Sequence, residues 1–236
     1  MGLQYGRVIL KVSGEMLGEG DEPLALSRFR YLIQEIQAAL QLGAEMGIVV
    51  GGGNIFRGRN VQRLGIRRVT GDAMGMLGTM INALALADLL QREGVPVRVL
   101  SSREVEGLVE RYTPARALEA LARGHLVLLA GGTGHPYFTT DTAAALRAAE
   151  LQADAVLKAT KVPGVFTGDP EADPQAQFLP EITYQEIVER QLRVVDLTAA
   201  TLLMEAGIPL VVFALLEPGN LVQVLQGKRV GTLVKP

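Results

Sequence analysis

Four short stretches hold most of the residue types that could grip an anion. The first is Lys11-Val12-Ser13-Gly14-Glu15, and the second is Gly51-Gly52-Gly53-Asn54-Ile55-Phe56-Arg57-Gly58. The third runs from Ala130 to Asp141 and reads AGGTGHPYFTTD; the fourth runs from Lys158 to Pro170 and reads KATKVPGVFTGDP. Glycine lets backbone N–H groups approach oxygens, hydroxyls donate or accept, and a lysine supplies charge. Lysine is scarce here: of 23 basic residues five are lysine, namely Lys11, Lys158, Lys161, Lys228 and Lys235. Where arginine serves almost everywhere, a retained lysine points to a need for a compact ammonium. Lys11, Lys158 and Lys161 fit that need, whereas Lys228 and Lys235, near the C-terminus, are read as incidental. GxxxxGK[ST] and GxGxxG are both absent, which disfavours a P-loop NTPase and an ordinary dinucleotide-binding domain.

Each of these stretches leaves an apolar run of strand length. The runs are Val8–Leu10, Ile48–Val50, Val97–Leu100, Leu126–Leu129, Ala155–Leu157 and Leu210–Phe213. They are continuous rather than alternating, as strands covered on both faces are. Helix-like segments lie between them: Leu24–Leu42, Asp72–Gln91, Pro114–Ala122, Thr140–Gln152 and Asp196–Ala206. Gly43 and Gly207 mark helix ends and Pro114 a helix start. The alternation predicts an α/β fold with a mostly parallel sheet and helices on both faces. Ligands of such sheets bind beyond the C-terminal ends of the strands, so the four stretches should share one rim. No repeat or long linker divides the chain, and Thr167–Pro180 reads as a loop. One domain over residues 1–236 is expected.

Composition narrows the function. The net charge is −2, which gives no basic surface for nucleic acid. There is no cysteine, hence no thiolate chemistry, and the two histidines, His125 and His135, are too few for a His-rich metal site. The start lacks the pattern of a signal peptide. The apolar stretch Ala73–Leu90 is interrupted by Asn82 and Asp88 and reads as a buried helix rather than a membrane span. Its apolar residues surround most of the helix, enough for both core and subunit contact, and Gly71-x-x-x-Gly75 suits close packing. A cytoplasmic protein without membrane contact is the expectation.

The stretches named above, together with Arg68-Val69-Thr70-Gly71-Asp72-Ala73-Met74-Gly75-Met76-Leu77, resemble in order and over nearly the whole chain the bacterial uridylate (UMP) kinases of the amino-acid-kinase superfamily. The resemblance implies a three-layer αβα sandwich around a mainly parallel sheet of roughly eight strands. It implies transfer of the ATP γ-phosphate to UMP, giving UDP and ADP in pyrimidine nucleotide biosynthesis, with Mg²⁺ accompanying ATP. It also implies a homohexamer inhibited by UTP and, in many members, activated by GTP. An acceptor phosphate has a second pKa of roughly 6, so it arrives largely ionised and no general base is required.

Residue roles follow from the same resemblance. Lys11 contacts the transferring phosphoryl group, and Val12, Ser13 and Gly14 lie beside it on the ATP side. Gly52 faces UMP; Gly53 and Arg57 face ATP. Asp72 contacts the UMP ribose hydroxyls, although a helix N-cap is the plainer reading of an aspartate there. Thr133, Gly134, His135, Pro136, Tyr137, Phe138, Thr139 and Thr140 form the loop around uracil and the UMP phosphate, with Tyr137 or Phe138 flanking the base; core packing is the other reading of the two aromatics. Asp141, again at a helix start, orients the catalytic lysines near the metal, and Lys158 is the second catalytic lysine. Thr160, Phe166 and Asp169 line the ATP site, and Asp196 is read as a cap. His135 and Tyr137 replace the more usual asparagine and phenylalanine, and Gly18–Pro23, the region tied to GTP activation, is short. Three alternatives remain: a sister kinase of an amino acid, carbamate or acetylglutamate, a UMP- or UTP-sensing regulator without turnover, and an NAD(P) oxidoreductase.

Overall fold

A computed structural model describes residues 2–56, 64–168, 172–173, 175–192 and 194–236. Arg57 and Asp169 lie outside the described residues. The six apolar runs are all strands, each extended by one to three residues: β1 (Arg7–Val12), β2 (Glu45–Val50), β3 (Val97–Ser101), β5 (Leu126–Ala130), β6 (Ala155–Thr160) and β10 (Leu210–Ala214). Five short strands join them: β4 (Glu110–Arg111), β7 (Val165–Phe166), β8 (Phe178–Leu179), β9 (Glu181–Thr183) and β11 (Thr232–Lys235). Among the described residues the main sheet has nine strands in the order β4-β3-β5-β2-β1-β6-β10-β11-β9, one more than expected, with β7 and β8 pairing separately. Only the β10–β11 pair in it is antiparallel. The stretch read as a loop, Thr167–Pro180, contains β8, whose Phe178 meets Phe166 edge-on with centroids 5.5 Å apart.

The helices are α1 (Leu26–Gln41), α2 (Arg68–Arg92), α3 (Pro114–Ala122), α4 (Thr140–Glu150), α5 (Tyr184–Glu189), α6 (Leu197–Ala206) and α7 (Asn220–Leu225). Their starts follow local chemistry. Thr113 caps α3 ahead of Pro114, Thr183 and Glu186 form a capping box on α5, and Gly207, at φ 66°, ends α6. Strand side chains alternate between two cores. Val8, Leu10 and Val12 of β1 join Leu157 and the helices α1, α2 and α7; Ile9 joins Val156 and the helices α3 to α6. Parity therefore sends Lys11 and Lys158 to the second face, toward α4.

Helix α2 is long and apolar enough to cross a membrane by length and composition. In this fold Met80, Ala83, Leu86 and Leu90 are buried in the core, and Asp72, Asp88 and Arg92 are spread along its length. The helix begins four residues before Asp72, with Arg67 as N-cap, so Asp72 is not a cap.

Candidate active site

Strand register brings the lysines together. Lys11 and Lys158 are direct partners across the parallel β1–β6 pair. Asp141, the second residue of α4, reaches between them: Lys11 Nζ lies 2.8 Å from Oδ1 and Lys158 Nζ 2.6 Å from Oδ2. The Lys158 contact is a directed hydrogen bond, whereas the Lys11 contact is an ion pair without hydrogen-bond alignment. Lys158 also donates to the Val194 carbonyl. Two of its three N–H bonds are thus spent, and one remains for a ligand.

Burial pushes the Asp141 carboxyl up, but Lys11 and then Lys158 outweigh it, and the pKa falls below the ordinary carboxylate value. For Lys158, burial is the largest influence and lowers its pKa; Asp141 raises it, Lys11 lowers it again, and the net is downward. A cluster of two ammonium groups on one carboxylate carries a surplus positive charge, and an anion arriving there would favour the charged lysines.

Asp141 is not the cap of α4. Thr139 is: its Oγ1 accepts from the N–H groups of Asp141 (3.0 Å) and Thr142 (3.2 Å). The Thr139 hydroxyl donates to Asp196, as does that of Thr142 at 2.9 Å, while Asp196 caps α6 by accepting from Ala199 N–H at 3.0 Å. Asp196 is the cap expected, and it also ties the start of α4 to the start of α6.

The glycine stretches stand beside this cluster. Gly14, at the 3₁₀ turn after β1, packs so closely on Gly51 that an added Cβ would lie 2.6 Å from the Gly51 carbonyl. An added Cβ on Gly52 would lie 2.7 Å from the Gly75 carbonyl and 2.9 Å from Thr79 N, so this loop rests on the backbone of α2. Gly75 and Gly78 thus receive the glycine loop. Gly131, Gly132 and Gly134 have φ of 75°, 60° and 83°, a backbone that favours glycine.

The Thr133–Thr140 loop reaches across to α2. Asp72 Oδ2 accepts from Tyr137 N–H at 2.8 Å and lies 3.6 Å from Arg68 Nε, whose guanidinium sits 4.8 Å above the Tyr137 ring. Tyr137 and Phe138 are 60% and 48% exposed, which excludes core packing. His135 is also exposed, and Thr133 Oγ1 accepts from its N–H at 3.2 Å.

Two cavities flank the lysines. One of about 760 Å³ is lined by Lys11, Thr139, Thr140, Asp141, Lys158 and Asp196, among others. The other, about 580 Å³, includes Lys158, Thr160, Val162, Phe166, Leu192 and Val194. Gln191, left-handed at φ 51°, lines both. Lys161 belongs to a third cavity with Glu15, Glu19, Asp21 and Glu22, away from the lysine pair. Lys235 is a surface residue paired with Glu181.

Sequence reasoning missed Thr79, Asn82 and Arg103. Arg103 donates twice to the Gly134 carbonyl, at 3.1 and 2.8 Å. Asn82 was noted only as an interruption; a polar residue inside an apolar helix was the available signal. Among the described residues no group of three or more His, Cys, Asp or Glu side chains could hold a metal.

The chain is similar to known proteins over nearly its whole length. The sequence model of the Amino acid kinase family matches residues 6–214. A uridylate kinase of Marinobacter nauticus is 46% identical, with 98% of this chain and 96% of the relative covered. One from Parabacteroides distasonis is also 46% identical, with 98% of each covered. The crystal structure of a UMP kinase from Bacillus anthracis superposes with a TM-score of 0.95 at 37% identity, covering 98% of this chain and 96% of the other.

Proposed function

The chain belongs to the amino acid kinase family and, within it, to the uridylate kinases, and from that premise we infer that it moves the γ-phosphate of ATP to UMP, giving ADP and UDP. The observation that carries the mechanism is the Lys11–Asp141–Lys158 cluster at the ends of adjacent strands. Phosphoryl transfer needs positioning and charge neutralisation more than covalent help from the protein. Lys11 and the free N–H of Lys158 take oxygens of the transferring group. Asp141 holds both ammonium groups in place and opposes the lowering of the Lys158 pKa by burial. Backbone N–H groups of Ser13, Gly14, Gly52 and Gly53 are the further donors assigned to these oxygens by resemblance. UMP brings an ionised nucleophile, so no base is assigned.

ATP lies over Lys11, Val12, Ser13, Gly14 and Gly53, with adenine in the apolar cavity of Thr160 and Phe166; Arg57 and Asp169, outside the described residues, are assigned to the same site by family resemblance. UMP lies over Gly52 and within Thr133–Thr140. Asp72 spends one oxygen on Tyr137 N–H and keeps Oδ1 for a ribose hydroxyl. Mg²⁺ would arrive carried by ATP, since such an ion needs one or two carboxylates besides phosphates and water; Asp141 is the carboxylate paired with both lysines, and its buried Oδ1, 2.8 Å from Lys11 Nζ, would have to give up that contact to ligate the ion. When bound, it neutralises phosphate charge.

The whole chain acts as one domain in pyrimidine nucleotide synthesis, in the cytoplasm where its substrates are. Subunit contact is supported by Val69, Leu77 and Ile81, which are 49%, 54% and 44% exposed on α2; a homohexamer rests on family resemblance. UTP inhibition is supported by its shared uracil and ribose, while GTP activation rests on family resemblance alone.

The test is ADP release with ATP and Mg²⁺, offering UMP, CMP, dUMP, acetylglutamate, aspartate or carbamate separately. UMP turnover with UDP as product is expected, and loss with dUMP supports the ribose contact. Turnover of a carboxylate or carbamate alone would move the chain to a sister kinase. Silence in every well would leave a nucleotide sensor. Lys11→Ala should cut turnover by roughly two to three orders of magnitude while UMP still binds; lost UMP binding with phosphoryl transfer retained would contradict its role.

A further inference from the structure

Two buried polar side chains on α2 have no place in the chemistry above. Thr79 is 3% exposed and Asn82 is 0% exposed, in a helix that is otherwise apolar on its inner side. They are three residues apart, so they share a face with a rise of about 4.5 Å between them. Each holds a different glycine loop. Asn82 Nδ2 donates to the Gly51 carbonyl at 2.6 Å, and Asn82 and Asn54 exchange hydrogen bonds of 2.7 and 3.0 Å. Thr79 Oγ1 accepts from Gly131 N–H at 2.8 Å while donating to the Met76 carbonyl at 2.7 Å. Gly52 is pressed onto the same turn of helix backbone.

Burying these groups is costly unless they are satisfied, and here each is satisfied by a loop rather than by its own helix alone. Leucine or valine would pack on this face without that cost. What the polar pair adds is a fixed relation between two loops.

We propose that Thr79 and Asn82 are positioning residues: α2 serves as a rail that sets the spacing between the Gly51–Gly53 loop and the Gly131–Thr140 loop, and so between the two nucleotides. This rests on the proposed assignment of the second loop to UMP and of the first to the meeting phosphates. Thr79 governs the UMP side alone. Asn82 governs the loop both nucleotides share.

Thr79→Val keeps the shape and removes the acceptor; Thr79→Ser keeps the acceptor. The expected result is a UMP KM raised about tenfold by the valine variant, with the ATP KM within about twofold and near-complete rescue by serine. Asn82→Leu should instead lower kcat about tenfold or more, since it displaces the shared loop. Hydrogen–deuterium exchange supplies a readout independent of turnover. Thr79→Val should speed exchange in residues 131–139 and not in 51–56, and Asn82→Leu the reverse. If valine does not fold, Thr79→Ala carries the same expectation. Equal KM changes for both nucleotides, no rescue by serine, or uniform loosening of both loops would overturn the proposal. Absence of UMP turnover in the unmodified protein would overturn the proposed function instead, and the exchange pattern would still judge the rail.

Discussion

Asp141 is held ionised by its two lysines, and that has a pH signature. Its folded pKa lies below its unfolded one because Lys11 and Lys158 outweigh burial. Such a carboxylate contributes stability that is fully present above its unfolded pKa, about 4, and lost as pH falls through the folded value. Asp141→Asn should therefore flatten the acid limb of a melting-temperature profile below about pH 4, while turnover collapses at every pH. An unchanged acid limb would mean that the carboxylate is not the titrating group. Tyr137 poses a different question, because its backbone is left-handed at φ 72°. A β-branched side chain is strained there, so Tyr137→Val should cost about 1–3 kcal/mol in urea unfolding. Tyr137→Gly should cost less, because glycine relieves the strain that Asp72 and Arg68 otherwise hold in place. If valine is tolerated as well as glycine, the bond from Tyr137 N–H to Asp72 does not enforce this conformation.

The start of α4 decides where Asp141 sits, and it is anchored by side chains from another element. Asp196 caps α6 and receives the hydroxyls of Thr139 and Thr142. Asp196→Ala should lower stability by about 1–3 kcal/mol through the lost cap and the unsatisfied hydroxyls, and lower kcat by displacing Asp141; guanidinium unfolding and steady-state rates check both. Elements of this kind were only partly legible. Long buried strands announce themselves by continuous apolar runs, and all six expected ones are present. Strands of two residues, such as β4 and β7, have no period to read and exist because a neighbour offers hydrogen bonds. Asp72 and Asp141 each carry a capping reading beside the ligand-facing one, because a capping aspartate and a ligand-facing one look alike in sequence. Only the true helix starts, at Arg68 and Thr140, separate the two meanings. The lysine pair was legible one residue at a time; that Lys11 and Lys158 face each other required the β1–β6 register.

The whole molecule presents Leu77 and Ile81 to solvent on the back of the helix whose front carries Thr79 and Asn82. If α2 packs against another subunit, Leu77→Asp combined with Ile81→Asp should reduce the mass seen by light scattering to that of smaller assemblies. An unchanged mass would place the interface elsewhere. The sheet order has a further consequence, for synthesis. Strand β1 sits at the centre, and one of its two neighbours is β6. The bond from Arg7 N–H to the Asp154 carboxylate spans 147 residues. At about 5–20 residues per second, a ribosome takes roughly 7–30 s to supply the second side of a strand it made among the first. During that interval half of the central strand is an open edge, and the Lys11–Lys158 pair does not yet exist. No nascent chain can bring Lys11 and Lys158 together before the first two thirds of the protein have emerged.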